Sequence, residues 1–432
     1  MLPFFVFTHP PTARAMLMYR YHTLPGARKE AQELGLRGAL FAWESTTTGE
    51  EMAPEFVVAP TGEVIPILTG KLEQHINSAV AYGVWLYWIA AHDLDFLLSA
   101  GAELLVETAR FWASRVEKEN DTYHINYVTG PDEYHEIADD NVYTNMMAAW
   151  NMQRAGDIVN YLQELHPENW QALKGKLGFD EREQSEWREI AANIYVSGGF
   201  NNLIEQFVGF FALKDIDVSA YEPRSIPLDI ILGRRETAET QVVKQADVVQ
   251  LLYLLEDQFS REVIEENFSY YERRTGHGSS LSPAIHGLVA ARLGLTDMAV
   301  RYLNQAGTID LSNNLGNAAG GVHAAALGGL WQQIMMGFVG VRPREAGIFL
   351  CPRFPEHWRQ VSFSLLWGKS RLDFEIASKK RIRLAVGGES EVNVGIYGQS
   401  LQALRPGKTY QADWDGLTWK GFLQEEPDAS NG

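Results

Sequence analysis

From residue 11 to about 336, apolar residues recur at three-to-four spacing in segments closed by Gly or opened by Asp-type caps. That pattern predicts helix after helix. The segments include "PTARAMLMYRYHTL", "LEQHINSAVAYGVWLYWIAAHD", "DNVYTNMMAAWNMQRAGDIVNYLQEL", "ETQVVKQADVVQLLYLLEDQF" and "AAGGVHAAALGGLWQQIMMGF". Roughly eleven such helices are expected, mostly in consecutive pairs. Aperiodic stretches separate them at 36–69, 119–138, 197–235 and 273–278, and loops that long in a compact domain usually carry function. After Gly340 the period becomes two. "QVSFSLLWGKSRLDFEIA", "KRIRLAVGG" and "EVNVGIYG" alternate apolar and polar residues between Gly and Pro turns, which predicts an antiparallel β-domain. The expected division is a helical domain over 1–338, a β-domain over 339–425 and a frayed tail over 426–432. Paired helices suggest a closed helical toroid with a cleft at one rim, and an open α-solenoid is the competing architecture.

Composition narrows the function. The chain has 432 residues, 46% of them hydrophobic, with 12 Trp. This is ample for a large core, and flat aromatic faces also suit a sugar ring. With 37 Lys and Arg against 55 Asp and Glu, the net charge is −18. Nucleic acid and anionic membrane surfaces are therefore poor partners. A single cysteine, Cys351, excludes an internal disulfide and points to a reducing, cytoplasmic compartment. The apolar start "MLPFFVF" has no basic segment before it and is interrupted by Pro10 and Pro11, so neither a signal peptide nor a membrane span is expected.

Candidate chemistry gathers in the loops. In "TGPDEYHEIADDNVYTN", residues 129–145, Gly130 and Pro131 set a turn ahead of Asp132, Glu133, Tyr134 and His135. Helix capping by Asp139 or Asp140 explains some of these acids. An acid packed among the aromatic and amide neighbours would lose solvation and hold its proton, as a general acid must. "KQADVV" puts Lys244 and Gln245 in an otherwise apolar helix, where a snorkelling lysine is the plain alternative. "RRTGHGSSLS" leads Ser279, Ser280 and Ser282 into a helix whose free N–H groups suit an oxyanion, although a serine cap reads the same way. His323 lies among small residues in "NAAGGVHAAALGG", where a satisfied core histidine is the commoner explanation. Nucleotide, zinc-protease, redox and calcium motifs are missing, so no metal is expected.

Together these stretches resemble glycoside hydrolase family 65, the inverting phosphorylases and hydrolases of α-glucosides such as maltose, trehalose, kojibiose and nigerose. The resemblance rests on "YRYHTLPGARKEAQELGLRGALFAWESTTTGEE", "EQHI" at 73–76, "TGPDEYHEIADDNVYTNMMAAW", "KQADVV", "YYERRTGHGSSLS" and "GGVHAAALGGLW", in the family's order across nearly the whole chain. It implies an (α/α)6 barrel followed by a small β-domain, with Glu133 as general acid. It also implies phosphate ligands at Lys244, Gln245, Ser279, Ser280 and His323. Trp43 and Glu44 would shape the sugar pocket, with Asp132, Tyr134, His135, Lys244 and Gln245 as further sugar contacts. The partners implied are an α-linked glucose disaccharide and inorganic phosphate as co-substrate, with no other cofactor. A homodimer is compatible with this reading.

The implied chemistry is protonation of the glycosidic oxygen by Glu133 and attack by phosphate on the opposite face, giving β-glucose 1-phosphate. An inverting hydrolase would need a second carboxylate roughly 6.5–9.5 Å from the acid, and Glu272 is the candidate. Two departures stand out. The family's Pro before the Trp of "WES" is Ala42 here. Family members also carry an N-terminal β-sandwich and a "FWD" stretch ahead of the point where this chain starts. On that reading "MLPFFVF" is left uncovered, and an inactive truncated fragment is the third possibility.

Overall fold

The structure is a computed structural model that describes every residue except 59–61, 63, 199–201, 225, 315, 378–380, 416, 417 and 426–432. The expected tail, 426–432, lies outside the described residues. The chain is helical up to Phe338 and rich in strand from Arg342 onward. It divides into two compact units, one of residues 1–14, 86–93 and 283–432, the other of residues 15–85 and 94–282.

In the second unit, helix Val142–Leu165 packs against helices Ala102–Arg115 and Glu181–Asn193 and touches Val248–Leu254. Trp112, Trp170 and Trp187 are fully buried in this unit. The long helix starts one residue later than the acid-rich loop suggested. Asn141, not Asp139 or Asp140, is its N-cap and accepts the Thr144 N–H at 2.9 Å. Asp140 adopts a left-handed φ of 52° and takes the Ile125 N–H and the Asn145 amide instead. Helix Pro167–Leu177 was not anticipated, because "HPEN" reads as a break. Pro167 in fact opens the helix, where its missing N–H costs nothing, and Trp170, Leu173 and Leu177 form its buried stripe.

The long loops are partly structured. Phe56–Val58 pairs with Val64–Pro66, and Glu117–Glu119 with Thr122–His124, both antiparallel. The segment before Val248 is not helical, contrary to the expectation for "ETQVVKQADVV". Val243 instead bridges in parallel to Thr275, its N–H donating to Arg274 O at 2.9 Å and its own carbonyl taking the Gly276 N–H at 2.7 Å. These bonds hold Lys244 in a turn beside the serine loop.

In the first unit, strands Gln360–Trp367, Ser370–Ala377, Arg381–Gly388, Lys408–Asp413 and Leu423–Gln424 form an antiparallel sheet. Along Ser370–Ala377 burial alternates, with Ser370, Leu372, Phe374 and Ile376 inward. A four-stranded sheet beside it in sequence is mixed rather than purely antiparallel. Val392–Ile396 runs parallel to Gly347–Leu350, Val394 opposite Ile348. The strands between them in sequence supply the long crossover that a parallel pair requires. The N-terminal helix Leu2–Thr8 is not bare, as the sequence had suggested. Val6 and Phe7 are buried, and Phe7 stacks on Trp331 and Trp367. Gly328 admits the chain start, since a Cβ there would lie 2.7 Å from the Met1 nitrogen.

Candidate active site

The loop from Gly130 to His135 is built around one carboxylate. Asp132 is 1% exposed. Its Oδ1 accepts the backbone N–H groups of Lys244 at 2.8 Å and Tyr134 at 3.2 Å. Its Oδ2 accepts Gln206 Nε2 at 2.8 Å and lies 2.7 Å from His135 Nδ1. His135 Nε2 is in turn 2.8 Å from Thr240 O. Burial works against the charged imidazole, but the Asp132 carboxylate more than offsets it and raises the pKa. Asp132 and His135 were expected among the sugar contacts. Instead they are enclosed and engaged by protein groups, and they tie the loop to the Lys244 turn. Gly130 is required because a Cβ there would collide with the side chains of Asn141 and Asp247.

With Asp132 turned inward, Glu133 is the acid that remains available. It is half-buried, and its Oε2 lies 3.0 Å from Lys244 Nζ. Gln245 Nε2 reaches Pro131 O at 2.6 Å and Glu133 Oε1 at 3.4 Å. Glu133 therefore stands beside a cation and an amide. Tyr134 donates its hydroxyl to Asp229 Oδ1 at 3.0 Å, and burial pushes the phenol pKa up. The serine loop meets the same place. Gly278 donates its N–H to Lys244 O at 3.0 Å, and a Cβ on Gly278 would lie 2.7 Å from the Tyr134 hydroxyl. Ser279 and Ser280 follow in a turn that precedes helix Ser282–Leu293, both half-buried. His277 has a left-handed φ of 46° and is pinned by Ser282 Oγ at 2.8 Å. Desolvation, helped by Arg224, lowers its pKa to about 3, so it is a neutral ring.

Trp43 and Glu44 are held by Glu51, a loop acid outside the candidate residues. Both oxygens of Glu51 accept backbone N–H groups: Trp43 at 2.6 Å, Glu44 at 3.0 Å, Met52 at 3.0 Å and Ala53 at 2.9 Å. Trp43 meets the His75 ring edge-on, with centroids 5.6 Å apart, and His75 meets Tyr143 at 5.7 Å. His75 is buried, which pushes its pKa down to about 4, and its Nδ1 lies 3.2 Å from Thr129 O. It is a neutral spacer between the Trp43 loop and the Glu133 loop.

Two acids near Glu133 are protonated at neutral pH, and neither was singled out from sequence. Burial, then the charge of Glu133, pushes the Glu73 carboxyl up to about 9. Burial, then the charge of Asp132, pushes Asp247 up to about 8. Asp247 Oδ2 accepts Asn141 Nδ2 at 3.0 Å and faces the Asp132 N–H at 3.4 Å. The desolvation sought for the general acid thus falls on its neighbours. Glu73 lies in "EQHI", residues 73–76.

Glu272 is half-buried at the end of helix Arg261–Glu272, just before the Thr275 bridge. His323 belongs to the first unit. It precedes helix Ala324–Gln332 rather than sitting within it, and Asp310 holds it through Nδ1 at 2.5 Å and through its backbone N–H at 3.0 Å.

The chain is similar to known proteins along most of its length. Residues 1–332 match the glycosyl hydrolase family 65 central catalytic domain and residues 341–403 the family's C-terminal domain. A kojibiose phosphorylase of Halothermothrix orenii is 41% identical over 411 residues, covering 93% of this chain and 53% of that protein. An alpha,alpha-trehalose phosphorylase of Geobacillus stearothermophilus is 35% identical over 404 residues, covering 93% of this chain and 51% of the relative. A solved structure from the human microbiome shares the fold with a TM-score of 0.82 at 24% identity, over 99% of this chain and 59% of its own. The chain spans about half the length of the curated relatives it matches. It belongs to glycosyl hydrolase family 65, by its central catalytic and C-terminal domains.

Proposed function

We propose that this chain carries the catalytic machinery of an inverting α-glucoside phosphorylase, acting on a kojibiose-, maltose- or trehalose-type disaccharide and releasing β-glucose 1-phosphate. Glu133 is the general acid. The observation that carries this reading is the 3.0 Å contact between Glu133 and Lys244, with the serine loop hydrogen-bonded to the Lys244 backbone.

Cleavage needs a proton on the leaving glycosidic oxygen and a nucleophile at the anomeric carbon. Glu133 supplies the proton as the C1–O bond breaks. Phosphate is already anionic, so it needs donors to hold it rather than a base. Lys244 and Gln245 offer an ammonium and an amide beside Glu133, and Ser279 and Ser280 add two hydroxyls in the loop bonded to the Lys244 backbone. Trp43 supplies an aromatic face for the glucose ring, and Glu44 leaves the same Glu51-pinned turn. The named relatives, which are phosphorylases, support phosphate as the nucleophile.

The experiment is to incubate the protein with kojibiose, maltose, nigerose or trehalose, with and without phosphate, and to follow anomeric products by NMR. Phosphate-dependent β-glucose 1-phosphate from one of them supports the reading and names the substrate. Equal glucose release with and without phosphate, and no sugar phosphate, overturns it in favour of hydrolysis with Glu272 as candidate base.

A further inference from the structure

Glu133 sits between two residues that the protein grips. Before it in the chain, Asp132 is enclosed by donors. After it, Tyr134 is held at both ends. Its backbone N–H donates to Asp132 Oδ1 at 3.2 Å, and its hydroxyl donates to Asp229 Oδ1 at 3.0 Å. Between these ends the ring packs with Val218, Leu228 and Val242 in a buried apolar cluster. The hydroxyl also lies against the serine loop, since a Cβ on Gly278 would come within 2.7 Å of it. Glycine at 278 leaves the room that the Tyr134–Asp229 bond occupies.

Asp229 shares its loop with Lys214 and Arg224, and each of the three is fastened to a different part of the site. Lys214 bridges to the stretch that leads to Lys244. Its carbonyl takes the Gln241 N–H at 3.0 Å, and its own N–H donates to Glu239 O at 3.1 Å. Arg224 donates Nη2 to the carbonyl of Gly276, the residue before His277 in the serine loop, and Nη1 to Glu222. Leu228, beside Asp229, is fully buried against Tyr134. The acid loop, the serine loop and the Lys244 stretch are thus held by one loop, and Asp229 is its tie to the acid loop.

We propose that Asp229 is a positioning residue for the general acid. Through the Tyr134 hydroxyl it fixes the backbone on the far side of Glu133, and so the aim of the Glu133 carboxyl at the leaving oxygen. This inference rests on the reading of Glu133 as general acid. Asp229 acts through Tyr134 and touches neither sugar nor phosphate. How much the aim matters depends on the leaving group. A sugar oxygen needs a proton as it departs, whereas fluoride leaves without one. A residue that aims the acid is therefore needed for a disaccharide and dispensable for α-D-glucosyl fluoride, whose C1–F bond breaks as a phosphate oxygen bonds to C1 and fluoride departs.

The test is to measure sugar phosphate formation by the protein and its D229A, D229N and Y134F variants, with circular dichroism to check folding. Two substrates are compared in the presence of phosphate: whichever of kojibiose, maltose, nigerose and trehalose the parent turns over, and α-D-glucosyl fluoride. D229A removes the acceptor and Y134F the donor of one bond, so each is expected to lower kcat on the disaccharide about tenfold. The two changes combined are expected to cost no more than either alone. D229N keeps a carbonyl acceptor and is expected to stay within about threefold of the parent. On α-D-glucosyl fluoride every variant is expected within about threefold of the parent. Unchanged kcat on the disaccharide in folded D229A and Y134F, equal losses on both substrates, or D229N as impaired as D229A overturns the inference and leaves the phosphorylase reading standing. If the unsubstituted protein makes no sugar phosphate from any of these substrates, the phosphorylase reading falls and takes the inference with it.

Discussion

Lys244 Nζ lies 3.0 Å from Glu133 Oε2, so the residue read as proton donor is ion-paired with a residue read as phosphate ligand. The two roles make opposite demands. A general acid carries a proton when the leaving oxygen departs, whereas the ion pair needs the carboxylate. Phosphate resolves the conflict if it draws Lys244 to itself. Glu133 then gives up its cation to the anion, and the ion pair opens as the site fills.

Anion binding should therefore depend on Lys244. Sulfate is the convenient probe because it does not titrate near neutrality. Calorimetry at pH 7 should show K244M binding sulfate about tenfold or more weakly than the parent, the loss of one charge-assisted bond. E133Q, which leaves the ammonium without its carboxylate, should bind sulfate at least as tightly as the parent. Equal affinity in K244M and the parent would show that Lys244 does not hold the anion.

Glu133→Gln should itself leave the fold unchanged, because the side chain is half-buried and an amide fits the same space between Gln245 and Lys244. Phosphorolysis of an unactivated disaccharide should fall by about 10²–10⁴-fold, the usual cost of losing a general acid. Rates of sugar phosphate formation, measured beside circular dichroism spectra, decide the point. Near-normal turnover by E133Q would move the acid to another residue.

Much of this was legible in the chain, for physical reasons. Helices such as Val142–Leu165 carry their periodicity openly, and the strands after Gly340 alternate plainly. "GPDEYH", "KQADVV" and "HGSSLS" point to a candidate site as three separate stretches, and in the structure Lys244 ties them together through Glu133, Asp132 and Gly278. What stayed hidden depends on long-range pairing. The segment before Val248 reads as helical by its apolar spacing, but the N–H and C=O of Val243 are claimed by Arg274 and Gly276. Which of the neighbouring acids is buried was equally invisible. Asp132 and Glu133 are adjacent, yet one is enclosed by donors and the other faces a lysine. Glu51 looked like an ordinary loop acid until its four backbone partners were seen.

Asp132→Asn should be among the most damaging isosteric changes in this region. Both carboxylate oxygens are acceptors, Oδ1 of two backbone N–H groups and Oδ2 of the Gln206 amide with His135 alongside. An asparagine must present an NH2 group to one of those pairs, which strands buried donors. A loss of about 2–4 kcal/mol is expected, together with displacement of the Lys244 turn and loss of activity beyond what unfolding explains. Denaturant unfolding of D132N provides the check, and stability within about 0.5 kcal/mol of the parent would mean that the network can be rebuilt around an amide.

Asp247→Asn should behave in the opposite way, and only above a certain pH. In the folded protein, burial and the Asp132 charge hold the Asp247 carboxyl at about 8, far above its ordinary value near 4. Between those values the native state keeps a proton that the unfolded chain has released. Stability therefore falls as pH rises through this window, by at most roughly 1.4 kcal/mol per pH unit from this group, and levels off above pH 8. Asparagine is uncharged throughout. Its amide oxygen can still accept Asn141 Nδ2 and face the Asp132 N–H, the two contacts Asp247 Oδ2 makes. D247N should thus match the parent near pH 4–5 and become progressively more stable than it toward pH 8. Thermal midpoints recorded across that range test both the sign and the window. Parallel curves for the two proteins would mean that Asp247 holds no proton in the folded state, and that its contact with Asp132 is relieved in some other way.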